Sequence, residues 1–277
     1  MACLRPYRMD VVINSDCSFT PEHSKSLTSE GKAVLNFLQS MGYDALDPPL
    51  ADVLSRSRQL EGAWCVLSPM SWHATHNDAM IIAANNELQL SEEMSKHWFQ
   101  LYADYLAGED MMLHYYDAQT WLLQTTNKPT INAKPVHKLL SHSLMPELER
   151  LDPSMYWQKF FTEGQMFFAS HAIQPIINGV WLWGAAPLSD RRSTAVCADK
   201  QFLSIAQICS DKVTLYDPTV SLKQYSILLL SHIDVLSKQH QEELKKLSVR
   251  WYWNNSAYTT NDSNWFTRLW RILTHAD

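Results

Sequence analysis

Residues 156–171 are YWQKFFTEGQMFFASH, and residues 178–184 are NGVWLWG. Aromatic residues recur along the first stretch at helical spacing, which predicts an amphipathic helix that buries Tyr156, Phe160 and Phe167. In the second stretch Trp181 and Trp183 are two positions apart, and such side chains share one face of a strand. The two stretches therefore predict an aromatic helix followed by a tryptophan-bearing strand.

Polar residues accompany this aromatic frame. At helical geometry Glu163 and His171 are about 80° apart, so they could line the rim of one cleft as an acid and a base. Further polar and aromatic residues nearby predict a small pocket. These pocket candidates are Gln165, Asn178, Trp181 and Trp183. The alternative interpretation is a buried hydrogen-bond network that orders the core, and the residue types alone favour it.

Helices and short strands are predicted to alternate along the rest of the chain. The clearest helix runs from a Ser91 cap to Gly108, with Met94, Trp98, Leu101 and Tyr105 on its apolar face. Other helices are expected to open at Thr28, to span 50–60 and 200–209, and to run from Asp152 or Ser154 to about 170. Strands are expected at 11–14, 64–68, 79–83, 111–115, 120–124, 180–183, 194–197, 213–216 and 226–230. This order predicts a mixed α/β fold, a single layered domain over residues 1–277 with short strands and flanking helices.

The composition limits the classes of partner. The chain has 277 residues, 46% of them hydrophobic, with 11 Trp, 11 Tyr and 9 Phe, enough for a large core. Its net charge is −6 and its basic residues are dispersed, so a nucleic-acid partner is not expected.

The cysteines and the apolar runs bear on location. Five cysteines form no C-x-x-C pair and predict free thiols in a reducing compartment. Arg5, Arg8 and Asp10 interrupt the first ten residues, so no secretion signal is expected there. Apolar runs fall far short of the ~20 residues of a membrane span. A soluble, cytoplasmic protein without membrane insertion is expected.

The sequence contains no complete catalytic signature. G-x-x-x-x-G-K-[ST], G-x-G-x-x-G and G-x-S-x-G are all missing from a chain with only seven glycines. Ser231, His232 and Asp234 have the residue types of a catalytic triad, but such close neighbours do not converge on one point. No cofactor is expected.

One stretch carries metal-ligating residue types, namely His73, His76 and Asp78. A surface loop is the favoured interpretation, because the glutamate of an H-E-x-x-H motif is missing.

An aromatic and basic helix is predicted from about residue 264. It carries candidate residues for docking a protein partner, namely Trp265, Arg268, Trp270 and Arg271. The alternative is that its tryptophans pack on the core.

At residues 156–184 the chain resembles the bacterial RpfE-type regulatory protein family, whose members are often labelled cofactor-independent phosphoglycerate mutases. The family pattern is W-R-x-x-x-N-E-x-Q-M-x-L-H-x-H-P-V-N followed by N-S-L-W-x-W-G-G-G. The resemblance extends to Trp64–Pro69 and Thr120–Leu123 and covers most of the chain. The matching residues are Glu163, Gln165, Met166, His171, Asn178, Trp181, Trp183 and Gly184.

Departures from the pattern affect polar and glycine positions. Ala169 replaces the first histidine of H-x-H, and Gln174 stands in place of the asparagine. Ala185 and Ala186 replace two glycines, and Ser71 replaces a further histidine. Because the aromatic frame persists while these positions change, the resemblance implies a scaffold kept without its original chemistry.

Two functions follow as expectations. The resemblance implies a non-enzymatic interaction or adaptor subunit that has a protein partner and can form a homo-oligomer. The DotZ-like subunits of bacterial type IV secretion coupling complexes are an instance of such a subunit. The alternative is a phosphoglycerate-mutase-like enzyme or a regulatory binder that acts on a phosphorylated small molecule. A metal-dependent mutase needs clusters of Asp and His ligands, and the sequence does not supply them.

Overall fold

The computed structural model describes residues 8–18, 24–75, 78–109, 111–171 and 176–260. The predicted docking helix with Trp265, Arg268, Trp270 and Arg271 lies outside these residues. The chain divides into two compact units, one of Leu46–Leu188 and one of Met1–Ala45 with Ser189–Asp277. The mixed α/β class is confirmed by the helices and strands of both units. The single-domain assignment of residues 1–277 stays a prediction.

Strands and helices are interspersed along the described residues, often in consecutive pairs of one type. The strands are β1 (Arg8–Ile13), β2 (Lys25–Leu27), β3 (Trp64–Ala74), β4 (Ala79–Ala84), β5 (Leu113–Asp117), β6 (Thr120–Gln124), β7 (Gly179–Trp183), β8 (Val196–Ala198), β9 (Val213–Leu215), β10 (Ile227–Leu230), β11 (Ser248–Tyr252) and β12 (Ala257–Thr260). The α-helices are α1 (Ala33–Ser40), α2 (Leu50–Ser57), α3 (Glu92–Ala107), α4 (Met145–Leu148), α5 (Tyr156–His171), α6 (Leu203–Cys209) and α7 (Lys238–Leu244). No helix in this part of the chain is long and apolar enough to cross a bilayer.

The Leu46–Leu188 unit is built on an antiparallel sheet. Its strand order is β4-β3-β6-β5, and β7 also pairs with β3. The sequence predicted a strand at 64–68, but β3 continues to Ala74. Different parts of β3 pair with β6, β7 and β4, and these pairings hold the longer strand extended.

The predicted α3 helix is confirmed, together with both of its ends. The Ser91 hydroxyl accepts a hydrogen bond from the Met94 amide at 3.1 Å, and Gly108 follows the last helical residue. The α5 helix begins at Tyr156 rather than at Asp152 or Ser154, because the Asp152 carboxylate caps it. The Asp152 oxygens accept hydrogen bonds from the amides of Ser154, Tyr156 and Trp157 at 2.8, 3.2 and 2.9 Å.

Two other predicted helix starts are wrong by several residues. The helix expected from Thr28 begins at Ala33, since Gly31 has a φ of +81° and Lys32 has extended backbone. The helix expected from residue 200 begins at Leu203. Here the Asp199 carboxylate accepts hydrogen bonds from the Gln201 and Phe202 amides, at 3.0 and 3.2 Å.

The other unit contains a seven-stranded sheet of order β2-β12-β11-β1-β10-β8-β9. The five strands from β11 to β9 are parallel, and β12 and β2 pair antiparallel at one edge. β10 has the sequence ILLL and is buried along its whole length, as expected for a central strand of a parallel sheet.

An ion pair between a buried aspartate and a half-buried arginine joins β1 to β11 in this sheet. Asp10 lies opposite Arg250 in the strand register, and the two side chains form two hydrogen bonds. Asp10 is 3% exposed. Burial raises the pKa of Asp10 above its ordinary value, although the Arg250 guanidinium opposes the shift.

Candidate functional site

The α5 helix buries its aromatic face inside the Leu46–Leu188 unit. Phe161 stacks on Trp181 of β7, with ring centroids 4.9 Å apart. Phe168 contacts Trp98 and Tyr102 of α3, at 5.4 and 5.2 Å between centroids. Of the residues predicted to be buried, Phe160 and Phe167 are buried, while Tyr156 is half-buried. These contacts fix α5 against both β7 and α3.

An open groove lies between α3 and α5. It has a volume of about 660 Å³. Its lining is apolar at the base, where Tyr105 packs on Phe167 at 4.8 Å between ring centroids. The lining residues are Leu101, Asp104, Tyr105, Glu163, Met166, Phe167, Ser170 and His171. Both Glu163 and His171, predicted from the sequence as rim residues, lie in this one groove.

Each of these two side chains already has a local contact. Glu163 forms an ion pair with Lys159 one turn away, at 3.4 Å between Oε1 and Nζ. His171 Nδ1 lies 2.8 Å from the Phe167 carbonyl oxygen and 3.1 Å from the Ser170 hydroxyl. A neutral ring that donates from Nδ1 to the carbonyl keeps Nε2 as a hydrogen-bond acceptor. The roles of Glu163 and His171 as acid and base stay predictions.

The other predicted pocket residues lie outside the lining of the groove. Asn178 exchanges two hydrogen bonds of 2.8 Å with the backbone of Trp72 and so extends the pairing of β7 with β3. The indole N–H of Trp181 donates to the Lys134 carbonyl, and that of Trp183 donates to the Ser68 hydroxyl, both at 2.9 Å. Gln165 is half-buried. Asn178 and the two tryptophans thus belong to a hydrogen-bond network that orders the core.

Three groove residues come from α3, a helix that the sequence predicted but did not assign to a site. Leu101 and Tyr105 belong to its predicted apolar face, and both are half-buried and line the groove. Asp104 is exposed beside them and accepts a hydrogen bond from Gln100 at 2.9 Å. The i, i+4 spacing of Leu101 and Tyr105 indicates that they share one face of α3. Which helix that face meets depends on the tertiary fold.

A small pocket adjoins the groove and shares Tyr105 and Glu163 with it. Its volume is about 110 Å³. It is lined by four aromatic residues, two glutamates, one lysine and two apolar side chains, namely Tyr102, Tyr105, Tyr156, Phe160, Glu109, Glu163, Lys159, Leu106 and Met111. We call it the aromatic pocket.

A third cavity, of about 420 Å³, was not anticipated from the sequence. It lies where β3 begins and β7 ends, and Trp64, Cys65, Lys128, Ala185 and Ala186 are among its lining residues. The two alanines are the positions where the RpfE-type pattern has glycines. Burial raises the pKa of the Cys65 thiol to about 11, so this thiol is not an activated nucleophile.

The two stretches with triad-like and metal-ligating residue types make other contacts in the structure. His232 contacts Asp234 at 2.8 Å with both side chains exposed, while the amide of Ser231 donates to Asp199 at 2.5 Å. His73 is exposed, and Asp78 accepts a hydrogen bond from the Ser143 hydroxyl at 2.6 Å. His76 lies outside the described residues. Among the residues that are described, no group of three or more His, Cys, Asp or Glu side chains is placed to hold a metal ion.

Comparisons with known proteins give a distant structural similarity. No family model matches the chain, and no curated protein matches it. Among solved structures, the cofactor-independent phosphoglycerate mutase from Thermoplasma acidophilum DSM 1728 is similar, with a TM-score of 0.35 and 9% sequence identity. The match covers 93% of this chain and 90% of that chain.

Proposed function

We propose that the protein is a non-enzymatic interaction subunit and that the groove between α3 and α5 binds a basic, amphipathic helix of a protein partner. The observation that carries the proposal is the combination of an apolar base with an acidic edge. Met166 lines the groove with 68% of its surface exposed. Asp104 and Glu163 are the acidic side chains of the lining.

The shape of the groove supports a helical occupant. Its two sides are helices of 16 residues each, and an amphipathic helix commonly lays its apolar face into such a groove. Methionine is flexible and polarisable and adapts to an apolar partner surface. Lysine or arginine residues along the edge of the partner helix would complement Asp104 and Glu163.

The same charges count against the phosphorylated substrate of the alternative enzyme. A phosphate group brought into the groove would meet the carboxylates of Asp104 and Glu163 and be repelled. The observation that favours the enzyme is the presence of Glu163 and His171 in one lining. An assay for interconversion of 2- and 3-phosphoglycerate tests it, since turnover that is lost in both Glu163→Gln and His171→Gln would establish the enzyme.

The resemblance to DotZ-like subunits suggests a setting for the partner. We propose that the partner is a component of a bacterial type IV secretion coupling complex. Co-purification from the native host followed by mass spectrometry would identify its components, and a second copy of this chain is one possible outcome.

A variant pair makes this experiment specific to the groove. Met166→Lys adds a cation to the lining and should repel a basic helix, whereas Met155→Lys adds the same charge at a methionine that is 66% exposed and lies outside the lining. A stoichiometric partner should be lost with Met166→Lys and kept with Met155→Lys. Equal recovery with both variants would contradict docking in the groove.

A further inference from the structure

We infer that the aromatic pocket beside the groove receives the cationic head of one lysine or arginine side chain of the docked partner helix. This inference rests on the proposed function, because the side chain comes from the segment that fills the groove. Tyr105 and Glu163 line both the groove and the pocket, so a helix in the groove passes directly over the pocket.

The lining of the pocket has the chemistry that binds organic cations. Tyr102 stacks on Tyr105 with ring centroids 5.8 Å apart, and Phe160 meets Tyr102 at 6.4 Å. The negative faces of aromatic rings attract ammonium and guanidinium groups within about 6 Å. Lys128, which lines the third cavity rather than this pocket, has its Nζ 5.9 Å from the centroid of Tyr156, so this ring already has a cation near it outside the pocket.

Carboxylates in the lining also favour a cation. Glu109 and Glu163 line the pocket against a single lining cation, Lys159. Burial raises the pKa of Tyr105, and both glutamates raise it further because they oppose a phenolate charge. The electrostatic field that disfavours a phenolate at this place favours an incoming cation.

The size of the pocket matches a single side-chain head. Its volume of about 110 Å³ is well below the ~300–1,000 Å³ of a typical small-molecule site. The pocket therefore suits a guanidinium or a methylene-ammonium group better than a drug-sized ligand.

Lys159 acts as the competitor for this position. Its ion pair with Glu163 has 75% of the lysine side chain and 46% of the glutamate side chain exposed. Such exposed pairs contribute little to stability, so a partner cation can take over Glu163 at small cost. Removing the Lys159 charge should therefore tighten cation binding, an effect that a purely structural pair would not produce.

Ethylguanidinium is a suitable probe for the full-length chain, with neutral ethylurea as its isostere. Titration followed by NMR of the tyrosine rings should show saturable binding of ethylguanidinium in the millimolar range and none of ethylurea. Glu163→Gln should weaken binding by roughly threefold and Lys159→Ala should tighten it by roughly twofold, the range of exposed ion pairs. Tyr105→Leu should weaken it by roughly threefold, the value of one cation–π contact.

Another exposed ion pair provides the matched control. Lys96 and Glu92 of α3 have the same i, i+4 spacing at 3.1 Å, and neither lines the pocket. Glu92→Gln and Lys96→Ala should leave the affinity unchanged. Equal binding of ethylguanidinium and ethylurea, no binding of either, or equal effects of the two variant pairs would overturn the inference.

The two proposals can fail separately. If the titration is negative while partner recovery still depends on residue 166, only the aromatic pocket is excluded. If ethylguanidinium binds as expected while partner recovery is the same with both methionine variants, the pocket is real and the helix-docking proposal is wrong.

Discussion

The ring of Phe161 lies parallel to the indole of Trp181, with centroids 4.9 Å apart and planes inclined by only 10°. Phe161 is 3% exposed and Trp181 is fully buried. This stack attaches α5, which forms one side of the groove, to β7, the tryptophan-bearing strand predicted from the sequence. The tryptophan strand therefore acts on the candidate site through α5 rather than by lining it.

Phe161→Ala should destabilise the fold strongly because it removes this stack and leaves a cavity against β7. The expected loss in the free energy of unfolding is about 3–5 kcal/mol. Urea denaturation measures it, with Thr162→Ala at the exposed neighbouring position as the control. A loss in Phe161→Ala no larger than that of the control would show that the stack is not a packing anchor.

Gly164→Ala should be destabilising in spite of the better helix propensity of alanine. A Cβ atom at this position would lie 2.9 Å from the Tyr102 hydroxyl oxygen, and overpacking of this kind costs about 1–3 kcal/mol. Among the described residues that hydroxyl is buried without a hydrogen-bond partner, so Tyr102→Phe alone should be nearly neutral.

The double variant Gly164→Ala with Tyr102→Phe tests the same contact. It should recover most of the lost stability, because the clashing oxygen is gone. Additive losses in this double-mutant cycle, followed by thermal or urea unfolding, would refute the contact.

Asp152 should contribute pH-dependent stability. Burial would raise the pKa of its carboxyl, but hydrogen bonds from the Ser154 hydroxyl and from three amides outweigh it and lower the pKa below its ordinary value. A carboxyl whose native pKa is depressed stabilises the fold above its unfolded pKa of ~3.9 and loses this contribution as the pH falls through the native pKa.

Removing this cap provides the measurement. Asp152→Ala should lower the free energy of unfolding by about 1–2 kcal/mol at pH 7, as for other N-caps. The difference from the unmodified chain should shrink below pH 4. A difference that is independent of pH between 7 and 3 would contradict the depressed pKa.

Two thiols should resist alkylation while the chain is folded. Burial raises the pKa of Cys65 to about 11 and that of Cys197 to about 12, so little thiolate exists at neutral pH. Iodoacetamide at pH 7.5 should modify both only in urea, as measured by peptide mass spectrometry. Rapid modification of either thiol in the native chain would be inconsistent with its burial.

The sequence predicted elements whose signals are local. The Ser91 cap and Gly108 bound α3 as expected, and β6 has the predicted residues 120–124. The segments that became α7, β11 and β12 were not assigned. In β11 Arg250 obscures the alternation of apolar and polar residues that marks a strand. Its partner Asp10 lies 240 positions away in the chain, so no local pattern reveals the pair.

The candidate groove was predicted only in part, because contacts between residues far apart in the chain leave no local pattern. Glu163 and His171 share one helix, so helical geometry alone brought them together. Tyr105 and Asp104 enter through the packing of α3 on α5, which depends on aromatic contacts between distant parts of the chain. Asn178 was expected in a pocket, but its side chain pairs with the backbone of β3.

Photo-cross-linking from position 166 in the native host shows whether the α3–α5 groove is a docking surface. A benzophenone side chain at residue 166 should cross-link one partner, and the cross-linked peptide should be a basic, amphipathic helix. The same group at residue 155 should give no such product. Equal cross-linking from both positions, or a peptide that is acidic or lacks an apolar face, would show that the groove does not bind a basic, amphipathic helix.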